Sequence, residues 1–110
     1  MRLKDKVIIV TGATSGIGRA IAERAVAEGA RVLVHGIERD DGEKVVAKLG
    51  GAAALCLEDL VDPAAPARIV AAALQAFGRI DAVVNNAAIV PRTTLANATV
   101  ESFERAMAIN

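Results

Sequence analysis

The sequence has no tryptophan and no tyrosine, and Phe77 and Phe103 are its only aromatic residues among 110. An interior must therefore come from Ala, Val, Ile and Leu, small side chains that suit helices packed closely on a sheet. Cysteine is nearly absent too. Cys56 stands alone, so one chain can form neither a disulfide nor a thiolate zinc site, and a reducing, cytoplasmic setting is expected, with no metal. No sign of charge prevails: thirteen basic residues face thirteen acidic ones, and no basic tract is present, which argues against nucleic acid and anionic membrane as partners. Long hydrophobic runs are missing as well. The opening stretch "MRLKDKVIIVTGA" holds only four strongly apolar residues in a row, too few for a signal-peptide core or a membrane span.

What is present is a chain 54% hydrophobic and of a length for one domain, residues 1–110. The apolar runs Val7 to Val10, Val32 to Val34, Ala53 to Leu57 and Ala82 to Val84 do not alternate with polar residues. Strands covered on both faces, as in a parallel sheet, have this pattern. Helical patterns lie between them. Ile17, Ile21 and Ala25 define a first stripe that stops near Gly29, and Val45, Val46 and Leu49 a second that ends at Gly50 and Gly51. Asp62 and Pro63 suit a third helix start, with Ile69, Ala73, Ala76 and Phe77 on one face and Gly78 at the end. A fourth helix is expected from Thr99, with Val100, Phe103 and Met107 together. Strict alternation of this kind implies right-handed crossovers and a doubly wound α/β fold.

Three glycines stand directly behind the first strand, in "TGATSGIG", Thr11 to Gly18. A turn there offers a phosphate the unpaired N–H groups and positive dipole end of the following helix. Gly12 would allow a tight turn, Gly16 would leave room for a pyrophosphate, and Gly18 would let helix approach strand. Thr14 and Ser15 add hydroxyls. The common G-x-G-x-x-G spacing is not met, since Ile21 stands where its third glycine would be, and no Gly-Lys pair makes a P-loop. On spacing alone, phosphate binding and an ordinary turn remain equal readings.

The string nevertheless matches T-G-x-x-x-G-x-G in full, and in this the chain resembles the short-chain dehydrogenases/reductases. Further matches follow in that family's order: Asp59-Leu60 after the third strand, Asn85-Asn86-Ala87-Ala88 after the fourth (the family has N-N-A-G), and Asn110 closing "AMAIN". The resemblance spans the whole chain. It implies a Rossmann-type sheet and an NAD(P)-dependent oxidoreductase acting on an alcohol or carbonyl substrate. It further implies that Gly12, Thr14, Ser15, Gly16, Ile17 and Gly18 hold the pyrophosphate and that Asp59 and Leu60 sit by the adenine. Asn86, Ala87 and Ala88 would meet the nicotinamide ribose, and Asn110 would be catalytic, ordering a proton relay. Ala88 departs from the family glycine by one methyl.

The family's choice of cofactor is set where the second strand ends, here "VHGIE". The acid that selects NAD would fall on Gly36, and the arginine that receives the 2′-phosphate of NADP on Ile37, so neither signal is present. Glu38 is near enough to serve as the acid, while Arg39 or Arg19 could meet a phosphate; without an acid at the usual place the lean is slightly to NADP. His35 is expected to line the adenosine pocket or fill space.

The family's proton donor is a tyrosine in Y-x-x-x-K, beside a serine, and these 110 residues contain no tyrosine. The expectation is a cofactor-binding part, truncated after about four strands and four helices, that catalyses nothing alone. A non-enzymatic nucleotide-binding module is the alternative; a flavodoxin-like or phosphoryl-transfer domain fits less well, for want of an acidic cluster or P-loop lysine. The fourth strand would form an exposed apolar edge, and such edges recruit partners. Sedimentation of the 110-residue chain is expected to show self-association. A concentration-independent monomer with a sharp melt would contradict it.

Overall fold

Runs of β-branched and aliphatic residues with no polar interruption suit the strands of a covered parallel sheet. In a computed structural model, which describes residues 2–87, the runs form strands, Val7–Val10 buried throughout and Ala82 and Val83 exposed. Strand β1 (Val7–Val10), helix α1 (Gly16–Ala27), strand β2 (Arg31–Gly36), helix α2 (Arg39–Leu49), strand β3 (Ala53–Leu57), helix α3 (Ala65–Phe77) and strand β4 (Ala82–Val84) follow in strict alternation. A single 3-10 turn, Gly50–Ala52, joins α2 to β3. The sheet is wholly parallel in the order β3-β2-β1-β4, so the chain reverses its direction of winding at β1.

The absence of alternation in the strands has a direct cause. Ile8, Val10, Val32 and Val34 pack with Ala22, Ala25 and Val45 of α1 and α2, while Ile9, Leu33 and Cys56 pack on the other face with Ile69 and Ala73 of α3. Both faces are core, and each large side chain so enclosed contributes roughly 1.5–3 kcal/mol. Burial pushes the Cys56 thiol up from its ordinary range, with the Glu58 carboxylate adding to it, so Cys56 is a neutral packing residue.

Two helices differ from the pattern read in the sequence. The face of α1 turned to the sheet is Gly18, Ala22 and Ala25, while Ile17 is 74% exposed and Ile21 half-buried. Small residues take the contact on this face, Ala22 and Ala25 against the sheet and Gly18 against the turn that follows β1. Helix α3 begins at Ala65, with Pro66 in its first turn, rather than at Asp62 and Pro63. Asp62 closes the turn before it, its Oδ1 accepting the Ala64 N–H at 2.9 Å and its carbonyl the Ala65 N–H at 3.0 Å. Gly78 ends α3 in the left-handed conformation, its N–H donating to Leu74 O. The helix expected from Thr99 lies outside the described residues. Among these, no helix is long and apolar enough to cross a membrane.

Asp81 fixes the start of β4 against β1: its Oδ2 accepts the Val7 N–H at 2.8 Å, and its own N–H donates to Val7 O at 2.8 Å. The Arg79 guanidinium, 2.5 Å from Oδ1, holds the Asp81 carboxyl below its ordinary pKa, helped by the Val7 N–H. Arg19 and then Lys48 lower Glu23, and Arg68 with the Ala64 N–H lowers Asp62. Folding thus favours the charged carboxylates, and the stability they add is complete above the ordinary carboxylate range and lost as pH falls through it to the folded values. Melting temperature is therefore expected to hold from neutral pH to about pH 5 and to decline below. In Asp81→Asn the decline should be shallower; an identical acid limb would show that Asp81 takes no part.

Candidate functional site

Where β1 ends, Gly12 turns the chain at φ +61, and a side chain there would stand 2.9 Å from the Ala87 Cα. Both the conformation and the crowding require glycine. Gly16 opens α1 at φ +59 with no atom within 4 Å of where its side chain would be, so the space beside it is free. Gly18 is constrained differently from the sequence reading. Its missing side chain would collide with the Gly12 carbonyl oxygen and the Asn86 amide, so the first turn of α1 packs on the preceding turn and the end of β4, not on a strand.

The backbone of this region is held by the side chains of Thr11, Asn86 and His35. The Thr11 Oγ1 accepts the N–H groups of Asn86 at 2.9 Å and Ala87 at 3.0 Å, and donates its proton to Val84 O at 3.3 Å. Its hydrogen-bonding capacity is thereby filled. Asn86 answers by donating from Nδ2 to Gly12 O at 3.2 Å. On the other side, His35 Nδ1 accepts the Gly12 N–H at 3.1 Å, and His35 O accepts the Ala13 N–H at 2.8 Å. The first two amides of the turn are therefore occupied from within. An anion would meet the later ones, because Arg19 is the first whose N–H reaches back, to Ser15 O, and those of Gly16, Ile17 and Gly18 precede it in the open first turn. Ser15, at the helix start, makes no side-chain cap, which leaves its hydroxyl available.

Above this turn lies a cavity of about 370 Å³, within the usual range for ligand sites. It sits at the carboxyl ends of the strands, beside the point where the strand order reverses, the place where doubly wound sheets bind ligands. Of the candidate residues, Gly12, Thr14, Ser15, Ile37, Leu60, Asn86 and Ala87 line it, joined by His35, Gly36 and Glu38. Gly16, Ile17, Gly18 and Asp59 do not. Gly16 and Gly18 have no side chain to reach it, and the Ile17 side chain joins Leu3, Ile8, Ile21 and Val84 in an apolar groove beside α1. Asp59 turns inward to its own loop, its Oδ1 accepting the Val61 N–H at 3.0 Å, and so shapes the segment that carries Leu60. Ala88 and Asn110 lie outside the described residues.

Charge around the cavity is uneven. Among the described residues, Glu38 is the single carboxylate in its lining, and no lysine or arginine joins it there. Arg19 pairs with Glu23 at 3.0 Å and Arg39 with Glu43 at 3.7 Å, all on exposed helix faces. Arg68 spans Glu58 at 2.7 Å and Asp62 at 2.6 Å, bracketing the loop that includes Leu60. Thr11 was legible only as a motif letter; that a serine or threonine ends a strand just before a glycine turn is the one sequence sign of its role.

A parallel sheet wound in both directions, with a glycine turn and an open helix N-terminus at the reversal, defines a Rossmann-type α/β fold. The model of the family described as short chain dehydrogenase matches residues 6–110, and the chain belongs to that family. It is 42% identical over 110 residues to a sorbitol dehydrogenase of Cereibacter sphaeroides, covering 100% of this chain and 43% of that protein. It is 39% identical over 111 residues to an NADP-dependent (R)-specific alcohol dehydrogenase of Lentilactobacillus kefiri, covering 99% and 44%. The chain thus spans less than half the length of these curated relatives. Among solved structures, a 3-ketoacyl-(acyl-carrier-protein) reductase from Brucella melitensis complexed with NADH superposes with a TM-score of 0.91 at 33% identity, over 97% of this chain and 45% of that one. A blue fluorescent protein from a metagenomic library, in complex with NADPH, does so with a TM-score of 0.91 at 32% identity, over 99% and 47%.

Thr11→Val keeps the shape but leaves the Asn86 and Ala87 N–H groups without their acceptor, and is expected to destabilise the fold by about 2 kcal/mol in urea unfolding. Thr11→Ser should restore most of that. Equal stability of the valine and serine variants would contradict the role given to the hydroxyl.

Proposed function

We propose that residues 1–110 are the NAD(P)-binding domain of an oxidoreductase that moves a hydride between the nicotinamide and an alcohol or carbonyl substrate. The observation that carries this reading is the cavity at the sheet reversal, walled by the glycine turn, the end of β2, Leu60 and the Asn86-Ala87 end of β4. It is supported by family membership, by the relative named an NADP-dependent alcohol dehydrogenase, and by two similar structures holding NADH and NADPH. In this reading the amides of Gly16, Ile17 and Gly18, with the hydroxyls of Thr14 and Ser15, receive the pyrophosphate at the positive end of α1. Gly12 shapes the turn. Ile37 and Leu60 enclose the adenosine, with Asp59 holding the Leu60 loop. Asn86, Ala87 and Ala88 face the nicotinamide ribose, and Asn110 belongs to the proton relay.

Glu38 lines the cavity and bears on the choice of cofactor. The absence of an acid at Gly36 gave a slight lean to NADP, but between Glu38 and Glu43 four carboxylates stand against Arg39, which is itself paired. A 2′-phosphate entering beside Ile37 would meet that negative field, whereas a 2′-hydroxyl could donate to Glu38. NAD is the cofactor we propose. Calorimetric titration should give tighter binding of NAD than of NADP, with amide shifts concentrated at residues 14–18, 60 and 86–87, and Glu38→Ser should narrow the difference. No heat and no shift with either dinucleotide, in a folded sample, would overturn the whole reading; tighter NADP would overturn the cofactor choice alone.

A further inference from the structure

His35 is 2% exposed, yet it lines the cavity and is the one histidine of the sequence. Both of its ring nitrogens are engaged. Nδ1 lies 3.1 Å from the Gly12 N, whose hydrogen can only be donated, and Nε2 lies 2.8 Å from the Glu58 O, which can only accept. These partners admit a single state of the ring: neutral, bare on Nδ1 and protonated on Nε2.

The two partners stand on opposite sides of β2. Gly12 follows β1, and Glu58 follows β3, so the imidazole reaches across both neighbours of its own strand. Backbone bonds run beside each contact, from Ala13 N–H to His35 O at 2.8 Å and from Glu58 N–H to Gly36 O at 3.2 Å. A residue here that merely filled space would need no polar atoms, and burying them without partners would be unfavourable. Nor can the ring exchange a proton with a bound molecule while both nitrogens are so committed.

We propose that His35 is a positioning residue of the dinucleotide site: its ring ties the phosphate-binding turn to the loop carrying Asp59 and Leu60, so that the two halves of the cofactor meet walls held at one spacing. The proposal rests on the dinucleotide reading above. Glu58 is the hinge of the second half, since its carbonyl accepts the hydrogen bond of the ring Nε2–H while its carboxylate, through Arg68, grips the turn before α3.

Side chains that reproduce one contact at a time separate the two arms. Asparagine places an amide carbonyl near the position of Nδ1 and can serve Gly12 but not Glu58; glutamine extends to Glu58 and abandons Gly12; leucine serves neither. The protein carrying this chain is labelled with ¹⁵N-histidine, and long-range proton–nitrogen spectra are recorded with and without NAD. The expected spectrum shows one protonated and one bare ring nitrogen, the protonated one being Nε2, unchanged by NAD. The opposite tautomer, or an averaged pair, overturns the proposal whether or not any variant folds. NAD affinity should fall about tenfold or more in His35→Leu and by less in His35→Asn and His35→Gln. Unchanged NAD affinity in folded variants, with only the melting temperature lowered, would reduce His35 to a structural role and overturn the proposal. If the parent protein binds neither NAD nor NADP, the dinucleotide reading fails, while the tautomer still shows whether the strut exists.

Discussion

Backbone amides that leave a strand for a glycine turn must find partners, and this one need organises the end of the sheet. Thr11 and His35 meet it from either flank. The hydroxyl gathers the amides of β4's end, and the imidazole and its carbonyl take the amides of Gly12 and Ala13. The early amides are satisfied internally, without a ligand, and the amides of the helix's first turn remain outward. Preorganisation of this type keeps the ordering cost of binding low.

The same economy of contact explains the small residues. Gly18 sits where its missing side chain would strike the Gly12 carbonyl, and Gly42 where it would come within 2.6 Å of the Leu55 Cδ1. Helices laid so close to a sheet leave little room for aromatics, which accords with an interior of Ala, Val, Ile and Leu. The Ile17 side chain lies in the groove beside α1 and not in the cavity.

Much of this could be read in the sequence. Strands β1, β3 and β4 coincide with their apolar runs, although only β1 is buried throughout, β3 being mostly half-buried and Ala82 and Val83 of β4 exposed. Strand β2 runs further than its apolar core, from Arg31 to Gly36, since its ends are fixed by pairing with β1 and β3 rather than by its own side chains. The stripe of α1 was misread for a related reason: periodicity marks Ile17 and Ile21 as the apolar face, but contact distance, which no local pattern encodes, selected Gly18 and Ala22. The glycine turn was legible as a motif. The hydrogen-bond roles of Thr11 and His35 were not, because the first depends on atoms brought together from the ends of β1 and β4, and the second on atoms from the ends of β1, β2 and β3.

The pairing of β4 with β1 bears on the order in which the site can be assembled. Asn86 and Thr11, bonded in the fold, stand 75 positions apart in the chain, with β2, β3 and all three helices between them. Closing so long a loop is slow unless the intervening elements have already shortened it. The wall formed by Asn86 and Ala87 thus depends on closing a long stretch of chain onto the turn at Thr11. Occupancy by a ligand touching both Gly12 and Ala87 would act as a clasp on that seam, giving the bound chain a slower unfolding rate out of proportion to the few atoms involved.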